Sequence, residues 1–358
     1  MRITFITPPP DRTGGQRVIA TYADRLSKRG HNVLVLSPPR PNPGARAIIK
    51  SLVRDRRLPR FKSTSSHYSD LAINHQLLKY SRPVINSDVP DGDIVIATWW
   101  ETAEWVMNLS PNKGAKVYFV QHHEVFDFLP VDRARATYRL PLRKIVVAQW
   151  LADTLRNEYG DPTAQVVRNS VDLDFFCAAA RGKCASPTVG LMYASCPSKG
   201  SDISLRAIRL ARKNIPNLKV VAFGHSRPEP DNPLPEDTEY HINPPQTTIR
   251  SLYERCDAWL FGSRSEGFGL PILEAMACRT PVIGVPAGAA PELLAGGGGC
   301  LVKAEDPEDM AKAIVKLCGL SDESWRQMSD TAHLTSSQYT WEDATDLFEA
   351  ALRSAVDK

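Results

Sequence analysis

Between Ser263 and Pro286 the chain reads SRSEGFGLPILEAMACRTPVIGVP, a stretch rich in residues that could do chemistry. Two carboxylates, Glu266 and Glu274, stand eight positions apart with Gly267 and Gly269 between them. Glycines let a backbone come close to a ligand. Pro271 suits the first turn of a helix, and a helix starting there aims unpaired N–H groups at an anion. Glu274 then falls about one turn inside that helix, where a carboxylate can accept hydrogen bonds from a diol such as ribose. Glu266, in the preceding loop, can reach a second polyol. Elsewhere Lys199, in SKGSD, offers phosphate a point charge. His122 and His123 directly follow the apolar run VYFVQ.

These residues need elements to position them. RITFIT (Arg2 to Thr7), a glycine loop with Gly14 and Gly15, and a helical pattern from Gln16 to Arg29 read as strand, loop and helix. Asn32 to Ser37 is the next strand, and apolar runs at 93–97, 116–120, 144–147 and 165–167 alternate with helical stretches. The rhythm restarts with strands at 188–192, 218–223, 258–261 and 281–285, separated by helical patterns. Repeated βα units predict two parallel sheets covered on both faces. Both histidines then sit at the carboxyl end of a strand, where such sheets place ligand contacts. Asn169 to Lys183 fits neither period and reads as the connection, with the active cleft expected across it. The Pro-rich segment Arg227 to Pro245 reads as a surface excursion. Helical patterns at 307–318, 322–337 and 341–355 close the chain.

At the EGFGLPILEAMACRTPVI block the chain resembles the retaining, nucleotide-sugar-dependent glycosyltransferases of family 4, with their E-x7-E signature. The resemblance extends to NSVDLDFF (Asn169 to Phe176), to SKGSD (Ser198 to Asp202) and to Gly14-Gly15. It implies the α/β GT-B architecture of two Rossmann-like domains. The expected division is 1–170 on the acceptor side and 171–339 on the nucleotide-sugar side, with 340–358 rejoining the first. It further implies that Lys199 and the Gly15 loop contact the donor, that Glu274 holds its ribose, and that Glu266 holds the transferred sugar with the amides of Gly267, Phe268, Gly269 and Leu270. Family members often carry a donor-sugar histidine after this strand. His122 aligns better than His123, although the doublet leaves both open, and Glu124 is a candidate for the acceptor. The family's arginine five positions before the lysine is replaced by Ala194.

The mechanism implied is a front-face displacement in which the leaving diphosphate takes the acceptor's proton. The donor is a nucleotide-diphosphate sugar acting as co-substrate, and no further cofactor or metal is expected. The acceptor is a hydroxyl of a glycan, a lipid-linked glycan or a small molecule. A sugar phosphorylase, a nucleotide-sugar epimerase or a non-catalytic binding protein on the same fold are the alternatives. TPPPDRTGGQ lacks the GxGxxG spacing of a dinucleotide-binding dehydrogenase.

The whole chain supports a globular reading. Its 358 residues, 42% hydrophobic and 23% charged, can build two sizeable cores. No apolar run reaches the roughly 18 residues of a membrane span and no signal peptide is recognisable, so the expected location is the cytoplasm. Seven cysteines without a CxxC pair read as reduced thiols. Asp91-Gly92-Asp93 and Asp172-Leu173-Asp174 spell DxD, but the first leads into a strand and the second falls in the connection, so neither is read as a metal site. To position 170 there are 25 basic against 15 acidic residues, and beyond it 19 against 25. Arg40 to Lys62 alone carries eight basic residues and one acid among apolar ones. This segment reads as a peripheral contact with an anionic membrane, with a solvated loop and polyanion binding as alternatives. No recognition motif accompanies the charge, so nucleic acid is not expected as a partner.

Overall fold

RITFI and NVLVLS alternate little and bury nearly every residue, as strands covered on both faces must. In the computed structural model, which describes residues 1–41 and 66–357, they form β1 (Arg2–Ile6) and β2 (Asn32–Ser37), joined by α1 (Gly14–Lys28). β3 (His75–Leu77), β4 (Ile94–Ala97), α2 (Trp100–Met107), β5 (Ala115–Val120), α3 (Val131–Thr137), β6 (Arg143–Val146), α4 (Gln149–Tyr159) and β7 (Gln165–Val166) follow. Together the strands make a parallel seven-stranded sheet, ordered β3-β2-β1-β4-β5-β6-β7. The order reverses between β1 and β4, so the loops that leave these two strands open a crevice at their carboxyl ends.

The second series runs β8 (Thr188–Tyr193), α5 (Ser201–Ala211), β9 (Lys219–Gly224), β10 (Glu239–Ile242), α6 (Gln246–Glu254), β11 (Ala258–Phe261), α7 (Leu270–Ala277), β12 (Val282–Gly284), α8 (Ala290–Leu294) and β13 (Gly299–Leu301). Its parallel sheet is ordered β10-β9-β8-β11-β12-β13, with the reversal between β8 and β11. α9 (Pro307–Cys318), α10 (Asp322–Ser337) and α11 (Trp341–Val356) end the chain. The α9 start is fixed by Asp306, whose carboxylate accepts from the amides of Glu308 and Asp309.

Two compact units result: Met1–Val146 with Leu151–Val167 and Thr345–Lys358, and Val147–Trp150 with Arg168–Ala344. The changeovers thus fall at 167/168 and 344/345, where 170/171 and 339/340 were expected. The core of the first unit gathers Phe5, Tyr22 and Phe119 around Phe348 of α11, whose ring lies 4.2 Å from that of Tyr22. In the second, Tyr253 and Trp259 pack edge to face at 4.5 Å.

Two expectations need correction. The Pro-rich segment 227–245 is not wholly an excursion, because Glu239–Ile242 pairs with β9 at the sheet edge. Gly14 and Gly15 are not loop residues but open α1. The basic segment Arg40 to Lys62 lies, beyond Pro41, outside the described residues. No helix among the described residues is long and apolar enough to cross a membrane.

Candidate functional site

In the second unit, the loops leaving β8 and β11 flank the point where strand order reverses, and they carry Lys199 and Glu266. The structure brings these two together. Lys199 Nζ donates to Glu266 Oε1 at 2.7 Å, and Ser263 Oγ donates to the same oxygen at 2.8 Å. The Glu266 side chain is 11% exposed and that of Lys199 32%. An ammonium has three hydrogens, so the pair leaves Lys199 donors for a second anion.

Close backbone approach explains the glycine after Lys199. Gly200 has φ +58°, and a Cβ there would lie 1.8 Å from the carbonyl oxygen of Gly262. The two loops are further tied because the amides of Arg264 and Ser265 both donate to Ser198 O, at 2.8 and 3.2 Å. Arg264 completes the clamp. Its guanidinium donates to Pro197 O, to both carboxylate oxygens of Asp202 at 2.8 and 2.7 Å, and to both of Glu305 at 2.7 and 2.9 Å. This arginine is committed to protein carboxylates and does not stand in for the cation that Ala194 lacks.

The turn from Glu266 into α7 is also fixed. Gly269, at φ +101°, is the residue before the helix, with Pro271 in its first turn. The Gly267 carbonyl accepts from Trp150 Nε1 at 2.7 Å and the Phe268 carbonyl from the Ala289 amide at 2.8 Å. With those carbonyls engaged, the amides of Gly267, Phe268, Gly269 and Leu270 find no acceptor among the described residues. They form the ready-made anion cradle expected of a helix start. Glu274, one turn into α7, is 5% exposed and accepts from Tyr253 Oη at 2.9 Å. Neither Tyr253 nor Trp150 was anticipated. Both read as core aromatics, and nothing in their spacing points to Glu274 or Gly267.

In the first unit, the residues after β5 separate by side. His122 is half-buried, and its Nδ1 lies 3.0 Å from His123 O. A carbonyl only accepts, so Nδ1 carries the proton in this arrangement. His123 turns toward Tyr159, with Nε2 2.7 Å from Oη, and burial lowers its pKa. Gly15 faces the same loop: a Cβ there would lie 3.5 Å from the Gln121 side chain. Gln121 Oε1 is buried without a partner among the described residues.

Glu124 is a correction. Expected to meet an acceptor, it is 2% exposed, and its Oε2 accepts from the Trp100 amide at 2.7 Å and Tyr118 Oη at 3.3 Å. Its own amide donates to Tyr138 Oη. Burial raises its pKa well above the ordinary carboxylate range. It works as an inward cap on α2. Three of the four DxD carboxylates are likewise occupied: Asp91 by Asn112 and Lys113, Asp93 by Arg2, and Asp172 by the amides of Asp174 and Phe175. Among the described residues no cluster of three His, Cys, Asp or Glu could hold a metal ion.

Two family descriptions cover most of the chain: residues 12–175 match Glycosyltransferase Family 4, and residues 187–319 match Glycosyl transferases group 1. The chain belongs to these glycosyltransferases. Among curated relatives, the D-inositol 3-phosphate glycosyltransferase of Mycobacterium leprae (strain Br4923) is 30% identical over 213 residues, covering 53% of this chain and 49% of the relative. That of Mycobacterium tuberculosis (strain F11) is 31% identical over 215 residues, covering 53% and 44%. The chain thus matches about half the length of these curated relatives.

Among solved structures, HepE of Anabaena in complex with UDP-glucose has a TM-score of 0.72 at 17% identity over 100% of both chains. Sucrose-phosphate synthase of Thermosynechococcus elongatus has a TM-score of 0.70 at 15% identity over 99% of both. At these identities the likeness establishes the fold, which is GT-B.

Proposed function

We propose that the chain transfers a sugar from a nucleoside-diphosphate donor to an acceptor hydroxyl, with retention at the anomeric carbon and without a metal ion. The observation that carries this reading is the Lys199–Glu266 pair at the strand reversal of the second sheet, beside the open amides that start α7. Lys199 and the helix start would hold the diphosphate, where a cation and aligned N–H groups stabilise the charge that grows as the sugar leaves. Glu266 would accept from hydroxyls of the transferred sugar, and Glu274 from those of the ribose. In the first unit, His122, with its proton on Nδ1, would present Nε2 to the donor sugar, and Gly15 would lie beside the same ligand. The leaving diphosphate takes the acceptor's proton, so no enzymatic base is required.

HepE holds UDP-glucose, and the starch synthase IV catalytic domain of Arabidopsis thaliana holds ADP and acarbose, so UDP- and ADP-sugars head the donor panel. GDP- and TDP-sugars complete it. A donor that binds the native state raises the melting temperature with the logarithm of its concentration over Kd. The stabilising donor is then assayed for nucleoside-diphosphate release with candidate acceptors. D-inositol 3-phosphate is included because the curated relatives are named for it. Release that needs both an acceptor and no divalent ion, and so survives EDTA, is the expected result. Loss of turnover on chelation, restored by Mg²⁺ or Mn²⁺, would overturn the metal-free reading.

A further inference from the structure

The loop that turns Glu124 inward sends Phe126, Asp127 and Phe128 toward the surface. Phe128 is 79% exposed, more than any other large hydrophobic side chain among the described residues. A single exposed phenylalanine needs no explanation, but this one is held. Its ring stacks on Phe126 with centroids 5.3 Å apart and planes within 3°, and Phe126 packs on the His122 ring at 5.0 Å. Three rings therefore run without a gap from the end of β5 to solvent. The loop beneath them is tightly turned, since the Val125 amide donates to His123 O at 2.9 Å and the Leu129 amide to Phe126 O at 2.8 Å. Asp127, between the two phenylalanines, is exposed.

A flat ring fixed by a second ring, with a carboxylate at its rim, matches one ligand chemistry closely. A pyranose presents an apolar face of C–H groups and an edge of hydroxyls. The ring takes the face and the carboxylate takes the edge. The same carboxylate repels a phosphorylated sugar and opposes insertion of the rings into an anionic bilayer.

We propose that Phe126, Asp127 and Phe128 form an acceptor subsite for a neutral sugar ring, reached along the aromatic ladder from His122. The proposal rests on the glycosyltransferase reading in which the His122 loop serves transfer. It replaces Glu124 as the acceptor contact and narrows the acceptor to a saccharide.

Saturation-transfer NMR on the full chain tests it, with a mixture of methyl glucoside, galactoside and mannoside and with UDP present to fill the donor pocket. Transfer to the ring C–H protons is expected in the wild type. Phe128→Ala should weaken the binding about tenfold, and Asp127→Asn should weaken it several-fold. UDP affinity should be the same in Phe128→Ala as in the wild type, which shows that the variant is folded.

No transfer in the wild type, or equal transfer in Phe128→Ala, overturns the subsite. So does binding of D-inositol 3-phosphate in preference to every neutral glycoside, or loss in Phe128→Ala of binding to phosphatidylglycerol vesicles rather than to sugars. Failure of the glycosyltransferase reading looks different. UDP affinity would then be indifferent to Glu274→Ala whether or not the glycosides bind.

Discussion

Removing Glu274 probes the proposed donor site most directly, because the structure supplies a second residue through which to cross-check it. Glu274 is 5% exposed and Tyr253 fully buried, with 2.9 Å between Oη and Oε2. If the carboxylate accepts from the ribose, Glu274→Ala should weaken nucleoside-diphosphate binding by ~1.5–3 kcal/mol, the range for a hydrogen bond to a charged group, or roughly ten- to over a hundredfold in Kd. The variant also removes the carboxylate acceptor of a buried tyrosine hydroxyl, so some stability is lost, and titration should be run well below its melting temperature. Tyr253→Phe removes only the oxygen. Its ring still packs on Trp259 at 4.5 Å, so no cavity opens, and the loss of affinity expected is the one that acts through the orientation of Glu274. That loss should be near the net worth of an ordinary hydrogen bond, ~0.5–1.5 kcal/mol. The double variant should then bind like Glu274→Ala alone, since contacting residues are not additive. Isothermal titration with the nucleotide found by the donor panel measures all three. A folded Glu274→Ala protein with wild-type Kd refutes the ribose assignment, and strict additivity refutes the path through Tyr253.

His122→Ala should lower kcat and kcat/KM together with little change in nucleotide affinity, as for a contact made mainly in the transition state. His123→Ala, whose ring is engaged with Tyr159, should chiefly lower the melting temperature; equal small effects on turnover would return both to structural roles. Arg264→Ala should weaken donor binding several-fold although Arg264 is not proposed to touch the donor, and lysine should not restore it, because a point charge cannot reproduce two bidentate pairs. Unchanged Kd by titration would show that the two loops hold without it. Glu349 is set by burial, which raises its pKa, and by the stronger opposing hydrogen bonds from Arg353, Arg29 and His31, which bring it from 4.5 down to about 2. A depressed carboxylate stabilises the fold above its unfolded value and loses that contribution as pH falls through its folded value. The melting-temperature gap between wild type and Glu349→Gln should therefore be full at neutral pH and close between 4.5 and about 2.

Most strands were legible because strands buried on both faces must be near-continuous apolar runs, as NVLVLS and RITFI are. Two that escaped, His75–Leu77 and Glu239–Ile242, are edge strands with one neighbour each and mostly polar residues, so no run announces them. The turns that carry Lys199 and Glu266 could be placed because glycine and proline at fixed offsets are demanded by local backbone geometry. Their partners could not. Tyr253 and Trp150 reach the site through tertiary packing, and a buried aromatic that holds a carboxylate looks in sequence like any other core residue. Glu124 failed for the converse reason. A carboxylate beside a histidine pair suggests chemistry, but its direction is decided by the α2 amide it caps.

The return of the last helix to the first unit bears on how the protein is made. Phe5, Tyr22 and Phe119 are all synthesised early, yet the ring that closes over them, Phe348, follows Phe119 by 229 residues (348 − 119). At the usual 5–20 residues per second, tens of seconds pass between translation of Phe119 and of Phe348. During that interval the N-terminal sheet has a gap over its core. The segment 168–344 is almost contiguous in the chain and can complete its own core first. The first unit therefore completes its core only after the second has been translated, in the reverse of their reading order. Removal of Phe348–Val356, the last stretch of α11, would leave that unit without the ring that closes its core.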